Sequence, residues 1–174
     1  MSSLNVDAVP LSQRVIARRV IIGLFLAIPL TLWVLAAGAS GLPKFSEAGN
    51  PIISLRLNQV LVQAEVVSTR EKMYLGLSGR RYLAPNTGML FAMPFPAVQH
   101  FCMRDMLIPI DIIWIAQGRI IGFHPNLSPD DPGTFTSPGP VDLVLEVPAG
   151  FVAASGLQSG HQVTIIPTSP GPGR

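Results

Sequence analysis

Val20 to Ala39 (VIIGLFLAIPLTLWVLAAGA) is a run of 20 residues without a charge in a chain of 174, and it splits the sequence into two unequal parts. As a helix rising about 1.5 Å per residue it would span roughly 30 Å, one hydrocarbon core. The flank before it, RVIARR, is basic and the flank after it is not. Basic flanks stay in the cytoplasm, so the N-terminus is predicted inside and the body of the chain outside. Pro29 is tolerable in such a helix, and Trp33 sits where an indole can anchor at the interface. The expectation is a retained single-pass anchor, with the membrane as partner through residues 20–39. The alternative is a cleaved signal peptide, for which Ala37-Gly38-Ala39 supplies a small-residue site and which would leave a secreted or periplasmic product. A 19-residue leader and an apolar run longer than the usual core favour the anchor.

Charge then narrows the partners. The chain has 12 Lys and Arg against 10 Asp and Glu, a net of +2. Arg14, Arg18, Arg19 and Asp7 fall in the first 40 residues, so residues 41–174 carry nine of each sign. Nucleic-acid binding draws most of its affinity from neutralised phosphates, and a balanced domain offers no face for it. No nucleic-acid partner is expected. Cys102 is the single cysteine, so no intrachain disulfide can form.

Residues 1–19 read as a basic leader and residues 40–51 (SGLPKFSEAGNP) as a linker. Residues 167–174 (PTSPGPGR) read as a disordered tail. Between them, residues 52–166 form one domain, and short strand signals dominate it. Strands are predicted over Ile52–Leu57, Val60–Val67, Met89–Met93, Val98–Met103, Ile110–Ile115, Arg119–Phe123, Val141–Val147 and Gln162–Ile166. Asn58-Gln59 and Gln117-Gly118 are the turns of two hairpins. Ser68-Thr69-Arg70-Glu71 has the form of a capping box, with a helix running to about Leu77. A second helix is predicted from Pro148 to Gly156. The fold class is mainly β, formally α+β: a small antiparallel β-barrel-like domain with two short helices, preceded by the transmembrane or signal helix.

Several ordered blocks resemble a known family. GLSGR from Gly76, GMLF from Gly88, FCMRD running into LIPID at Asp111, LEVPAG from Leu145 and GLQSGHQVTI from Gly156 look like the family of domain of unknown function 192. The resemblance covers about residues 60–166. It implies a small, mostly antiparallel β-barrel-like fold, often behind a signal or anchor, and no established activity. Cys102 stands where the family usually has Trp, Asp105 where it has Asn, and His161 where it has Asp.

Candidate chemistry is concentrated in His100, Cys102, Arg104, Asp105 and Asp111. On a strand, positions 100, 102 and 104 share one face. His100 and Cys102 could act as base and nucleophile, if a cation such as Arg104 favoured the thiolate. Asp111 lies inside the apolar run IPIDIIWI, where a carboxylate needs a partner, and Arg104 is the expected one. Glu146 poses the same puzzle in VLEVPAG, and could instead cap the helix after Pro148. His124, Asp130 and Asp131 fall in a loop that matches no calcium pattern. Three His and one Cys are too few for a structural zinc site, so no metal is expected. No phosphate loop, dinucleotide fingerprint or GxSxG elbow is present, and no cofactor is implied. Two functions stay open. One is a membrane-anchored extracytoplasmic domain that binds a small molecule, glycan or protein partner near Cys102, Arg104, Asp105, Asp111 and Glu146. The other is a small hydrolase or transferase that uses Asp111 with Glu146, or His100 with Cys102.

Overall fold

The computed structural model describes residues 43–166. The apolar run 20–39 and the tail 167–174 lie outside the described residues, and among those described no helix is long and apolar enough to cross a membrane. In chain order the elements are β1 (Lys44–Phe45), β2 (Pro51–Leu57), β3 (Val60–Val67), α1 (Arg70–Leu75), β4 (Thr87–Ala97), β5 (His100–Cys102), β6 (Ile110–Ala116), β7 (Arg119–Leu127), β8 (Thr134–Thr136), β9 (Val141–Pro148), α2 (Phe151–Ala154) and β10 (Val163–Ile166). The fold is mainly β with two short helices.

Eight strands form one sheet in the order β1-β2-β3-β4-β9-β6-β7, with β10 pairing β2 as well. Strands β5 and β8 form a small second sheet. Pairing is antiparallel except for β3 and β4, which run parallel. The closed barrel expected from the sequence is not formed. The sheet is open, and β7 meets the segment before β10 at one isolated bridge, Arg119 to Gln162. The reason is visible in the lengths: β10 has four residues and spends its ladder on β2, from Val163–Leu57 to Ile166–Ser54.

The middle of this sheet is buried on both faces, which is why its strands read as continuous apolar runs. In β6 all six residues from Ile110 to Ile115 are buried. Ile113 and Ile115 join Leu55, Leu57, Val62, Leu90, Leu145 and Val147 in one core, closed by Phe151 and Val152 of α2. Ile110, Ile112 and Trp114 point the other way, into a second core with Val67, Leu77, Met89, Phe91, Met103, Met106 and Val144. Successive side chains of a strand alternate faces, so the sheet is a wall between two cores.

The helices differ in detail from their sequence signals. Thr69, not Ser68, caps α1: its hydroxyl accepts from the Lys72 amide at 3.3 Å. The helix stops at Leu75, because Gly76 takes φ +54° and turns the chain so that Leu77 drops into the second core. Pro148 is the last residue of β9 rather than the start of α2, which begins at Phe151. Glu146 does not cap α2. That role belongs to Asp111.

Candidate functional site

A cavity of about 450 Å³ lies between α1, the turn after it, and β5. Its walls come from α1, β4, β5 and β9 and from the turns after α1 and β5. Arg70, Met73, Tyr74 and Leu75 come from α1, Leu77 and Ser78 from the following turn, and Phe91 from β4. His100, Phe101 and Cys102 come from β5, and Arg104 and Met106 from the turn beyond it. Glu146 of β9 completes the floor. The mouth is formed by exposed residues, Arg70, Tyr74, Leu75, His100, Cys102 and Arg104, while Leu77, Phe91, Met106 and Glu146 are buried. A concave, mostly apolar pocket with a few polar groups is the usual form of a small-molecule site.

The aromatic wall is anchored from behind. Phe101 meets Phe91 edge-on with centroids 5.0 Å apart, and Trp114 edge-on at 5.5 Å. Trp114 donates its indole N–H to His124 Nδ1 at 2.8 Å. Edge-to-face contacts of this kind fix ring orientation as well as filling space. Burial holds the His124 imidazole below its ordinary pKa. At the mouth, the Arg104 guanidinium lies 3.8 Å from the centre of the Tyr74 ring and donates to the Tyr74 carbonyl. Its carboxylate neighbour Asp105 is 3.7 Å away and exposed. Ser78 donates to the Arg104 carbonyl at 3.0 Å, which ties the turn after α1 to the turn after β5.

Glu146 is the unusual group. Only 6% of it is exposed, and its Oε2 is buried without any hydrogen-bond partner among the described residues. Met89 and Ile112 flank it on the neighbouring strands. With no cation beside it, burial pushes its carboxyl up to about 8, so it is mostly neutral at pH 7. A neutral carboxylic acid is a hydrogen-bond donor as well as an acceptor.

The structure separates the residues that the sequence grouped. Cys102, Arg104 and Glu146 line the cavity together with His100, whereas Asp105 sits outside it on the rim side of Arg104. Asp111 is elsewhere. In the β6–β9 ladder Asp111 stands opposite Val147, and Ile112 opposite Glu146. Cross-strand partners share a face and successive residues do not, so the two carboxylates point to opposite sides of the sheet. They cannot face each other across a substrate. The Asp111 carboxylate accepts from the Asn126 amide at 2.7 Å, the Gly150 amide at 3.1 Å and the Val152 amide at 2.8 Å. It therefore caps α2 and pins the β7 end to it, and the expected Arg104–Asp111 pair does not form. His100 Nδ1 is engaged with the Thr136 hydroxyl of β8 at 3.0 Å.

The sequence does not single out Arg70, Tyr74 or Phe101 as site residues, and Met73 and Met106 read there as core filling rather than as a thioether site for copper. Their signal in sequence is faint, since a Met or an aromatic in a short apolar stretch reads equally well as core. A second cluster was also missed. Arg80 grips Glu65 through both carboxylate oxygens, one at 2.8 Å, and Asn50 donates to the same carboxylate at 3.1 Å. The Arg80 guanidinium beside it holds Glu65 down at about 2.

No match was found among curated proteins. Two solved structures are similar. One, from Novosphingobium aromaticivorans, is described as a protein of unknown function; it is 28% identical, with TM-score 0.68, over 74% of this chain and 96% of that one. The other, from Sinorhizobium meliloti, is described provisionally as a transcription regulator; it is 28% identical, with TM-score 0.66, over 69% of this chain and 98% of that one. The family model DUF192, described as Uncharacterized ACR, matches residues 53–165. That span takes in both cores, the cavity and the Glu65–Arg80 cluster, and the chain belongs to the family of domain of unknown function 192.

Proposed function

We propose that residues 43–166 are a small-molecule binding module, held on the outer side of a membrane by residues 20–39. One observation carries the binding role: a buried carboxyl oxygen of Glu146, without a partner among the described residues, beside an apolar cavity that opens to solvent. Leaving a buried polar atom unpaired costs about 1–3 kcal/mol, and a bound molecule can supply the missing partner. The aromatic wall of Phe91 and Phe101, backed by Trp114, supports the same reading, because a site on packed strands needs little ordering when a ligand enters. Asp111 and Glu146 do not meet in this cavity, since they point to opposite faces of the sheet.

The test uses the full chain in lipid nanodiscs, with empty nanodiscs subtracted. The fluorescent apolar anion 1-anilinonaphthalene-8-sulfonate is expected to bind at one saturable site. Leu75, at the mouth and 60% exposed, can be changed without disturbing the core. Leu75→Glu is expected to weaken the probe by about tenfold or more, through one introduced charge at the entrance. Binding undiminished in Leu75→Glu, or no saturable binding at all, would overturn the proposal. The outward topology is checked separately: a C-terminal tag should be digested by protease added to intact spheroplasts, and protection of the tag refutes it.

A further inference from the structure

Resting on that binding role, we infer that the cavity takes a carboxylate amphiphile whose apolar body carries a neutral hydrogen-bond acceptor, a carbonyl or hydroxyl oxygen, that reaches Glu146. The cavity has a chemical gradient from mouth to floor. Two guanidinium groups, Arg70 and Arg104, stand at the exposed mouth. Among the described residues the only acid paired with either is Asp105, at 3.7 Å and well exposed. Guanidinium groups favour a carboxylate there through charge-assisted, often bidentate hydrogen bonds. Between mouth and floor lie Met73, Leu77, Phe101 and Met106, which match a hydrocarbon or aryl body. At the floor, Glu146 in its neutral form has an O–H to give and no acceptor among the described residues to receive it. An apolar tail would leave that donor unpaired, whereas an oxygen of the ligand would satisfy it.

A ligand amine is the competing occupant, since it could pair with an ionised Glu146. It is disfavoured because it must pass both arginines, and like charges repel most strongly where water is scarce. The other titratable groups around the cavity are Tyr74, His100 and Cys102, all at the mouth. The strands that flank Glu146 present Met89 and Ile112, which do not titrate.

Four probes decide the matter by calorimetry on the full chain in nanodiscs: 4-(4-acetylphenyl)butanoate, 4-phenylbutanoate, 4-phenylbutan-1-ol and 4-phenylbutylammonium. At pH 6.5 the acetyl acid is expected to bind about tenfold more tightly than 4-phenylbutanoate, the gain of one hydrogen bond in a dry site. That advantage should fade by pH 9.5, where Glu146 has lost its proton. In Glu146→Gln, whose amide still donates, it should persist at both pH values. The double variant Arg70→Ala/Arg104→Ala should weaken both acids about tenfold and leave the alcohol unchanged. Tightest binding by the ammonium probe, or equal binding of the two acids at pH 6.5, overturns this ligand class while leaving a binding module in place. Failure of all four probes to bind counts against the binding role itself.

Discussion

Asp111 shows how far a single residue can be read. A carboxylate inside IPIDIIWI announces that it is buried and needs partners, and it is fully buried. Its partners were not readable, because they are backbone amides at 126, 150 and 152, and a backbone donor leaves no mark in a sequence. Asp111→Ala strands three amides, two of them at the start of α2. It is expected to destabilise the domain by roughly 3–5 kcal/mol, as measured by urea unfolding. An unchanged midpoint would mean these hydrogen bonds contribute nothing. Glu65 makes the complementary case. Its partner Arg80 lies 15 residues away, and nothing in the spacing marks the pair, which depends on how the turn after α1 folds back. Arg80→Ala leaves Glu65 half-buried without its cation, and should cost roughly 2 kcal/mol at pH 7. The folded-state carboxyl is depressed to about 2, so the pair's stabilisation is present above pH 4.5 and lost as pH falls toward 2. The difference between wild type and Arg80→Ala should shrink over that interval in acid-unfolding curves. A constant difference would show that the ion pair is not its source.

Elements were legible where the physics is local. The hairpins β2–β3 and β6–β7 follow from Asn58-Gln59 and Gln117-Gly118, where Asn58, Gln117 and Gly118 take positive φ as tight turns demand. Strands β1 and β8 were not legible. They have two and three residues and owe their form to the strands they lie against. The parallel pairing of β3 with β4 was equally hidden, because it joins segments separated by α1 and its turn. That junction places the site. Gly88 of β4 sits against β9 so closely that a Cβ would come within 2.5 Å of the Glu146 carbonyl oxygen. Backbone cannot yield as a side chain end can. Gly88→Ala is therefore expected to push β4 from β9 and cost roughly 1–3 kcal/mol, lowering the melting temperature by several degrees. Retained stability would mean that the ladder from Met89–Glu146 to Ala92–Leu143 has slack.

At the scale of the whole molecule, one sheet separates a core closed by α2 from a core opened by the cavity, and each carries a buried carboxylate of opposite habit. Asp111 is satisfied and structural, while Glu146 is unpaired and sits where a ligand can reach. The sequence exposed both as anomalies in apolar strands but could not tell them apart, since the face each one takes depends on the β6–β9 register. The difference is measurable as a pH profile. The Glu146 carboxyl rises to about 8 in the folded state against an ordinary value of 4.5. The unfolded chain therefore releases its proton first, and stability falls as pH climbs from 4.5 to 8. Each unit is worth about 1.4 kcal/mol, so the loss is on the order of 4 kcal/mol. His124 acts in the opposite sense. Its depressed pKa favours the folded state above pH 6.5, and that support is lost as pH falls below it. Glu65 withdraws its support only below 4.5. With Glu146 the largest of the three, the wild type should be most stable in mildly acidic solution and should weaken steadily toward pH 8. Glu146→Gln removes only the alkaline decline. It should match the wild type near pH 4.5, exceed it by several kcal/mol at pH 8.5, and move the optimum toward neutrality. Parallel profiles for the two proteins in urea melts from pH 4 to 9 would mean that Glu146 is ionised in the fold, paired with something the cavity admits.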